Sequence, residues 1–435
     1  MLGQLGSTLL ILHLSDIHFR KMEIETAQDP NFHLRNELLR DIVGQCKTLG
    51  PPDLIVISGD IAFAGHPDEF AFATDWLGEL CEACGGSLDK VFVCPGNHDV
   101  VRTQADKNMV QNIHRNIKTA ENPTQFIFEQ LRDPDAAKLL YESLDNFNAF
   151  AFQFFCDLLP PERTRAKRDV VLNDGSLLRL WGINTTFVSS SHDVRGSLFV
   201  DSASFQIPRE TGVVNLVMAH HDLTWIRQSQ ELADHLNDVA QIQMFGHVHT
   251  NRINREVDYL RLTASAVHPE KNEPGWEPGY NLLELCVDGV ENARLLKLKA
   301  HVRVWQTAPG GFRAKQIKGK DIWKHEIPLE EWHPSPIAIE NAGQRPKNGQ
   351  TILQSDGVGA LPVKGFEMNQ LRDVGLRFYR LSFSKKSEIA GRLDLLEEDD
   401  MKQPDFERFR RAFFRAHERG ILEQLAKAVF EAEQN

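Results

Sequence analysis

The stretch Val91–Asp99, VFVCPGNHD, decides how this 435-residue chain folds. Its first four residues are apolar and mostly β-branched or aromatic, which reads as a buried strand, and Pro95-Gly96 ends it with turn chemistry. The strand's exit presents Asn97, His98 and Asp99. These offer an amide oxygen for a metal, an imidazole to carry a proton and a carboxylate to orient it. Alone, the stretch is equally an ordinary polar turn. Four other apolar runs remove that ambiguity. Leu9–Leu14 empties into Ser15-Asp16-Ile17-His18, and Asp53–Ile57 into Ser58-Gly59-Asp60. Val213–Met218 leads to Ala219-His220-His221-Asp222, and Ala240–Phe245 to Gly246-His247-Val248-His249. Asp16 and His18 are two apart, so in an extended segment they leave the same face, as two ligands to one ion must. Independent surface histidines would not keep this register at five strand ends.

The order DxH, GD, GNHD, H, GHxH resembles the calcineurin-like metallophosphoesterase superfamily, of a bacterial type with a C-terminal helical extension, and the resemblance covers about Leu9 to Lys299. It implies a four-layer αββα sandwich and two divalent cations. Asp16, His18, Asp60 and His249 would hold one metal, and Asp60, Asn97, His220 and His247 the other, with Asp60 bridging. The donors are oxygen and imidazole without thiolate, suiting Mn, Fe, Zn or Ni without choosing among them. In this reading two metals generate hydroxide near neutral pH and clamp a phosphoryl group for in-line attack. His98 protonates the leaving oxygen, Asp99 orients His98, and Arg102 braces a phosphate oxygen. His221 and Asp222 are candidate partners of metal-bound histidines.

Composition bounds the partners. With 41% hydrophobic and 25% charged residues the chain has the make-up of a globular protein that can bury a large core. A net charge of -12 argues against affinity by blanket neutralisation of nucleic-acid phosphates, leaving a local basic groove possible. No segment approaches twenty apolar residues and no basic n-region precedes Leu9–Leu14, so the expectation is a cytoplasmic protein with no membrane contact. Six cysteines at irregular spacing read as reduced core thiols, and the Cys81-Cys84 pair lacks a second pair to complete a zinc site.

The domain expectation is a catalytic unit over residues 1–305, an edge strand and flexible linker over 306–376, and a small helical module over 377–435. Helical stripes at Asn31–Lys47 and Pro67–Cys84 separate the first three strands, a βαβαβ start whose ligand sites lie at the carboxyl ends of parallel strands. A Phe-rich helical insertion occupies about 101–168, either as a cap over the site or as helices on the sheet flank. Its closing RTRAKR, Arg163–Arg168, reads as a solvated loop or a phosphate contact. A strand pair over Val170–Thr186 and strands at Val257–Leu262, Tyr280–Val287 and Ala293–Leu298 complete two sheets. Ile322–Ile327 adds an edge, and Pro334 to about Arg372 lacks sustained periodicity. Three amphipathic helices near the end faintly resemble the helical adaptor modules attached to bacterial effector enzymes; the other reading is a tail packed on its own catalytic domain. All candidate ligands precede residue 250, so residues 1 to about 330 are expected to suffice for turnover. The function expected is hydrolysis of a phosphodiester or nucleotide-type substrate. The alternative is an effector or scaffold recruited to a protein partner through residues 377–435, with nuclease or phosphomonoesterase activity.

Overall fold

A computed structural model describes residues 8–24, 26–316, 318–333, 351–352 and 365–434. In chain order its strands are β1 (Leu9–Leu14), β2 (Leu54–Ile57), β3 (Val91–Val93), β4 (Arg165–Val171), β5 (Leu177–Ile183), β6 (Val213–Ala219) and β7 (Ile242–Phe245). They continue with β8 (Arg252–Arg255), β9 (Leu260–Thr263), β10 (Gly279–Asp288), β11 (Leu295–Thr307), β12 (Gly310–Ala314), β13 (Trp323–Pro328) and β14 (Thr351–Ile352). One sheet runs β12-β11-β10-β1-β2-β3 with β13 also on β11, and the other runs β14-β4-β5-β6-β7-β9-β8. Both are mixed: β1, β2 and β3 are mutually parallel, as are β5, β6, β7 and β9. The expected α/β architecture with two sheets and flanking helices is what the chain adopts.

Burial explains which strands were plain in the sequence. Every residue of β1, β2, β3 and β7 is buried, as parallel strands covered on both faces must be. β11 is different. Leu296, Leu298, Ala300, Val302 and Val304 face the core while Lys297, Lys299, His301 and Arg303 alternate outward. That period-2 pattern carries the strand to Thr307, well past the Leu298 boundary expected from its apolar start. The strand expected at Val257–Leu262 begins only at Leu260, as β9, and pairs antiparallel with β8, which precedes the expected range. The sheets meet inside one continuous core, where a Cβ on Gly182 of β5 would lie 3.4 Å from the Phe92 ring of β3.

The basic run Arg163–Arg168 is neither a loop nor free. Arg165 begins β4 and lies over the Trp181 ring, 4.4 Å from its centroid. Arg168 is buried, donating to Phe154 O at 2.6 Å and to Asp89 O at 3.3 Å. The charges are absorbed by the fold, which corrects the expectation of a solvated segment.

The insertion forms helices Arg102–Ala105, Asn108–Thr119, Pro123–Arg132, Pro134–Tyr141 and Asp145–Ala151. Asn122 and Asp133 cap the third and fourth by accepting backbone N–H groups, each before a proline at the first helical position. Its Phe-rich end packs on the flank: Phe150 stacks on Phe70 of the Pro67–Cys84 helix at 5.3 Å and meets Phe154 at 5.2 Å. Phe152 and Phe155 point the other way, into the C-terminal helices.

Among the described residues those helices number four, not three: Gly365–Arg380, Phe383–Arg392, Asp405–Glu418 and Leu422–Gln434. The first begins inside the segment expected to be linker, because two glycines and scattered charges mask a stripe of Val374, Phe378 and Leu381. The remainder of that expected linker, residues 334–350 and 353–364, lies outside the described residues. The helices share a core of Phe378, Ile389, Phe409, Phe413, Leu425 and Val429, to which the insertion contributes Phe152. Around it, Arg163 donates to Asp157 at 2.7 Å and to Glu407 at 2.6 Å, and Arg410 Nε lies 3.2 Å from Asp157 Oδ2. No described helix is long and apolar enough to cross a membrane.

Phe152→Ala should therefore weaken both bodies at once. We expect a loss of about 3–5 kcal/mol, typical of emptying a buried aromatic site, read as a lower melting temperature. An unchanged melting curve would show that the C-terminal core does not depend on the insertion.

Candidate metal centre

The ligand-type residues gather where β1, β2, β3, β6 and β7 end. Asp60 lies between two histidines: its Oδ2 is 3.1 Å from His18 Nε2 and 3.2 Å from His220 Nε2. His220 Nε2 is also 3.1 Å from Asn97 Oδ1, and His249 Nε2 is 3.1 Å from Asp16 Oδ1. Donor atoms of Asp16, His18 and His249 lie within 4.8 Å of one another, as do those of Asp16, Asp60 and His220, of His18, Asp60 and His98, and of His220, His221 and His247. All seven residues expected to bind metal converge here.

The backbone is bent to achieve this. Nine described non-glycine residues have positive φ, and five of them are Asp16, His18, Asp60, His247 and His249, with φ between 52° and 67°. Such conformations persist only where surrounding structure enforces them and cluster at functional sites. Two glycines make the close approach possible. A Cβ on Gly96 would lie 2.1 Å from Asp60 Oδ1, and one on Gly246 would lie 2.2 Å from Ser15 Oγ.

Outer hydrogen bonds set which ring nitrogen faces inward. His220 Nδ1 is 2.8 Å from Ser58 O, and His18 Nδ1 is 3.5 Å from His268 O. A carbonyl only accepts, so the ring proton belongs on Nδ1 and Nε2 keeps its lone pair for the interior. His249 Nδ1 meets Glu273, 2.9 and 2.7 Å from its two oxygens.

Electrostatics point the same way. Asp16 and Asp60 are both buried. Burial raises the Asp60 carboxyl, but His220, His18 and His98 together hold it well below the usual carboxylate range. Conversely, burial favours neutral His220, yet Asp60 and Asp16 push it up to about 9. His249 rises to about 10 against its own burial, driven by Asp16 and Glu273. Two buried carboxylates demand positive charge, and oxygen-plus-imidazole donors suit divalent cations. The residues present fit such ions.

Several roles differ from expectation. Asp99 does not touch His98. Its Oδ1 accepts from Ile61 N at 2.9 Å and Ala62 N at 2.8 Å, and its Oδ2 from Gly96 N at 2.8 Å, so it ties the GD loop to the GNHD loop. A neighbouring residue in a tight turn need not share a face. His98 is instead oriented by Phe63 O, 2.7 Å from its Nδ1, and by the Phe63 ring, 5.0 Å away at 32°. Burial pushes His98 toward its neutral form, opposed by Asp60. Asp222 caps the Leu223–Trp225 turn through Thr224 N at 2.7 Å and supports no histidine. His221 is buried with Nδ1 on Thr185 Oγ1 at 2.9 Å. Arg102 is exposed in the first insertion helix, near enough for its charge to act on His98. Glu273, Phe63 and Trp225, whose ring is 4.3 Å from His247, escaped the sequence reading because no motif carries them. None of the six cysteines forms a disulfide, and none joins a metal-capable group among the described residues.

Comparison with known proteins identifies the family. Residues 9–251 match the calcineurin-like phosphoesterase family, and the chain belongs to that family. Residues 370–431 match the GTPase-associated adaptor domain. The chain is 24% identical over 272 residues to the uncharacterized metallophosphoesterase-like protein YydB of Bacillus subtilis (strain 168), covering 59% of this chain and 53% of that protein. It is 34% identical over 92 residues to the glycerophosphodiester phosphodiesterase GpdQ of Enterobacter lignolyticus (strain SCF1), covering 21% of this chain and 30% of that one. The chain thus spans about half the length of the first relative and less than a third of the second. Among solved structures, GAP50, the anchor in the inner membrane complex of Plasmodium, aligns at TM-score 0.35 and 11% identity over 82% of this chain and 100% of that one. Vacuolar Protein Sorting 29 from Cryptosporidium parvum aligns at TM-score 0.30 and 13% identity over 74% and 98%.

Asp99→Asn tests the corrected role. An amide replaces an acceptor facing backbone N–H groups, a loss of about 1–3 kcal/mol for the stranded donors. The melting temperature should fall, and any loss of turnover should be equal for good and poor leaving groups. A loss confined to poor leaving groups would return Asp99 to His98.

Proposed function

We propose that the chain is a dinuclear metal-dependent phosphoesterase acting on a phosphodiester or nucleotide-type substrate. The observation that carries this reading is the single Asp60 oxygen standing between His18 Nε2 and His220 Nε2, with Asp16 and His249 on one side and Asn97 and His247 on the other. Asp16, His18, Asp60 and His249 would hold one cation, and Asp60, Asn97, His220 and His247 the second. When bound, divalent cations in such a pair polarise the phosphoryl oxygens and supply hydroxide near neutral pH. Asp60, shared between the two positions, would screen the charges of the cations from each other. His98, whose Nδ1 donates to Phe63 O, would give a proton to the leaving oxygen from Nε2 as the imidazolium, the form that Asp60 favours against burial. Arg102, exposed and near enough for its charge to act on His98, would meet a phosphate oxygen of the substrate. The phosphodiester preference follows the named activity of GpdQ and the acidic net charge, which disfavours a processive nucleic-acid enzyme.

A second reading adds to the first. The match of residues 370–431 to an adaptor domain supports a role for residues 377–435 in joining the enzyme to a protein partner. Fused as they are to the insertion through Phe152, these helices would bring the partner close to the catalytic body.

The activity is tested by reconstituting the protein with Mn, Fe, Zn or Ni and assaying bis-p-nitrophenyl phosphate, p-nitrophenyl phosphate, cyclic nucleotides and nucleic acids. Turnover of diesters above monoesters supports the reading, and no turnover with any metal contradicts it. Asp60→Asn should lose metal from both positions; elemental analysis still finding about two ions per chain would show that Asp60 is not shared.

His98→Ala should be selective. A general acid matters in proportion to the basicity of the leaving group, so a nucleotide ester with an alkoxide leaving group should slow by roughly 10²–10⁴-fold. The p-nitrophenyl diester should slow far less, with metal content unchanged. Equal losses on both esters would assign His98 to binding.

A further inference from the structure

The two halves of the metal centre are not electrically equal, and the difference comes from a residue outside the segment that matches the family. Glu273 lies in the loop between β9 and β10, beyond the matched residues 9–251. Its two oxygens are 2.9 and 2.7 Å from His249 Nδ1. The corresponding partner of His220 is the neutral carbonyl of Ser58, and that of His18 is the neutral carbonyl of His268. Counting charge, one half has Asp16, the shared Asp60 and Glu273 behind His249. The other half has the shared Asp60 with Asn97, His220 and His247, none of which is a carboxylate.

The loop is built to hold Glu273 there. Val267 N donates to Ser15 O at 2.9 Å, and His268 N donates to Asp16 O at 3.1 Å. The His268 ring stands 2.6 Å from Ile17 O through Nδ1, and Arg20 donates to Glu270 at 2.6 Å. Glu273 N then donates to Glu270 O at 2.9 Å. The loop is thus laced onto the same turn that presents Asp16 and His18, so the carboxylate and the residues it acts on move together. Glu273 is also partly exposed, so replacing it does not empty the core.

We infer that Glu273 is a positioning residue that fixes His249 with Nε2 inward and makes the Asp16/His18/His249 position the tighter of the two cation sites. A carboxylate behind an imidazole orients the ring and raises its basicity as a ligand, and removing such a partner costs typically about 10–100-fold in metal affinity. The inference rests on the dinuclear reading above.

The test is calorimetric titration of the apo, full-length protein with manganese chloride, for wild type, Glu273→Gln and Glu270→Gln. Wild type should show two unequal sites. Glu273→Gln should weaken the tighter one by about 10–100-fold, leaving the weaker one unchanged. Glu270→Gln, which cuts the Arg20 anchor but leaves the His249 contact, should keep the tight site. Two wild-type sites with Glu273→Gln matching wild type would overturn the inference and leave the dinuclear reading intact. Equal losses in both variants would overturn it too, showing that the loop and not the carboxylate matters. Failure of wild type to bind a second cation would overturn the dinuclear reading itself.

Discussion

Two buried carboxylates, Asp16 and Asp60, are the constraint from which the rest of the site follows. Each lies at the end of a strand with every residue buried, where an unpaired negative charge costs several kcal/mol even after relaxation. The fold offsets that cost by surrounding them with imidazoles from strands that are distant in sequence. His18, His220 and His249 are brought within about one hydrogen-bond length of a carboxylate oxygen, so positive charge must reside there, on rings or on cations. To point all of these groups inward, the chain accepts left-handed backbone at five non-glycine residues and allows no side chain at Gly96 or Gly246. Strain and charge are concentrated in the same few residues.

The support for this centre reaches through the insertion. Asp99 stitches the GD loop to the GNHD loop, Asn146 of the insertion donates to Gly65 O at 2.9 Å beside it, and Val101 N donates to Ser143 O at 2.8 Å. A few residues on, Phe150 and Phe154 enter the main core while Phe152 enters the C-terminal one. Asp157, flanked by Arg163 and Arg410, then joins the two bodies with a buried ionic contact. The same Phe-rich segment therefore serves the GD and GNHD loops at one end and the C-terminal helices at the other.

The strand ends and the ligand-type residues that follow them are legible because local chemistry encodes them. An apolar run followed by Gly-Asp or Gly-His-Val-His needs no long-range information. What escaped depends on tertiary contact. Glu273 has no motif, since its role exists only because a distant loop is laced to Ser15 and Asp16. The orienting partner of His98 was assigned to Asp99 on adjacency, whereas the turn sends that carboxylate toward three backbone N–H groups and leaves Phe63 O to hold the ring. RTRAKR read as solvated because its composition is basic, yet Arg168 finds two carbonyls and Arg165 a tryptophan face inside the fold. The Gly365–Arg380 helix is hidden in the sequence by its two glycines, which helix propensity penalises; at Gly375 the ring of Phe413 takes up the space a side chain would need.

The central claim is that Asp60 stands between two cations. Electron paramagnetic resonance of the full-length apoprotein titrated with Mn²⁺ tests it most directly. A shared carboxylate couples the two spins, so the account predicts that an exchange-coupled dimanganese spectrum grows in as the second equivalent binds. Two equivalents bound with only isolated, uncoupled Mn²⁺ signals would contradict it.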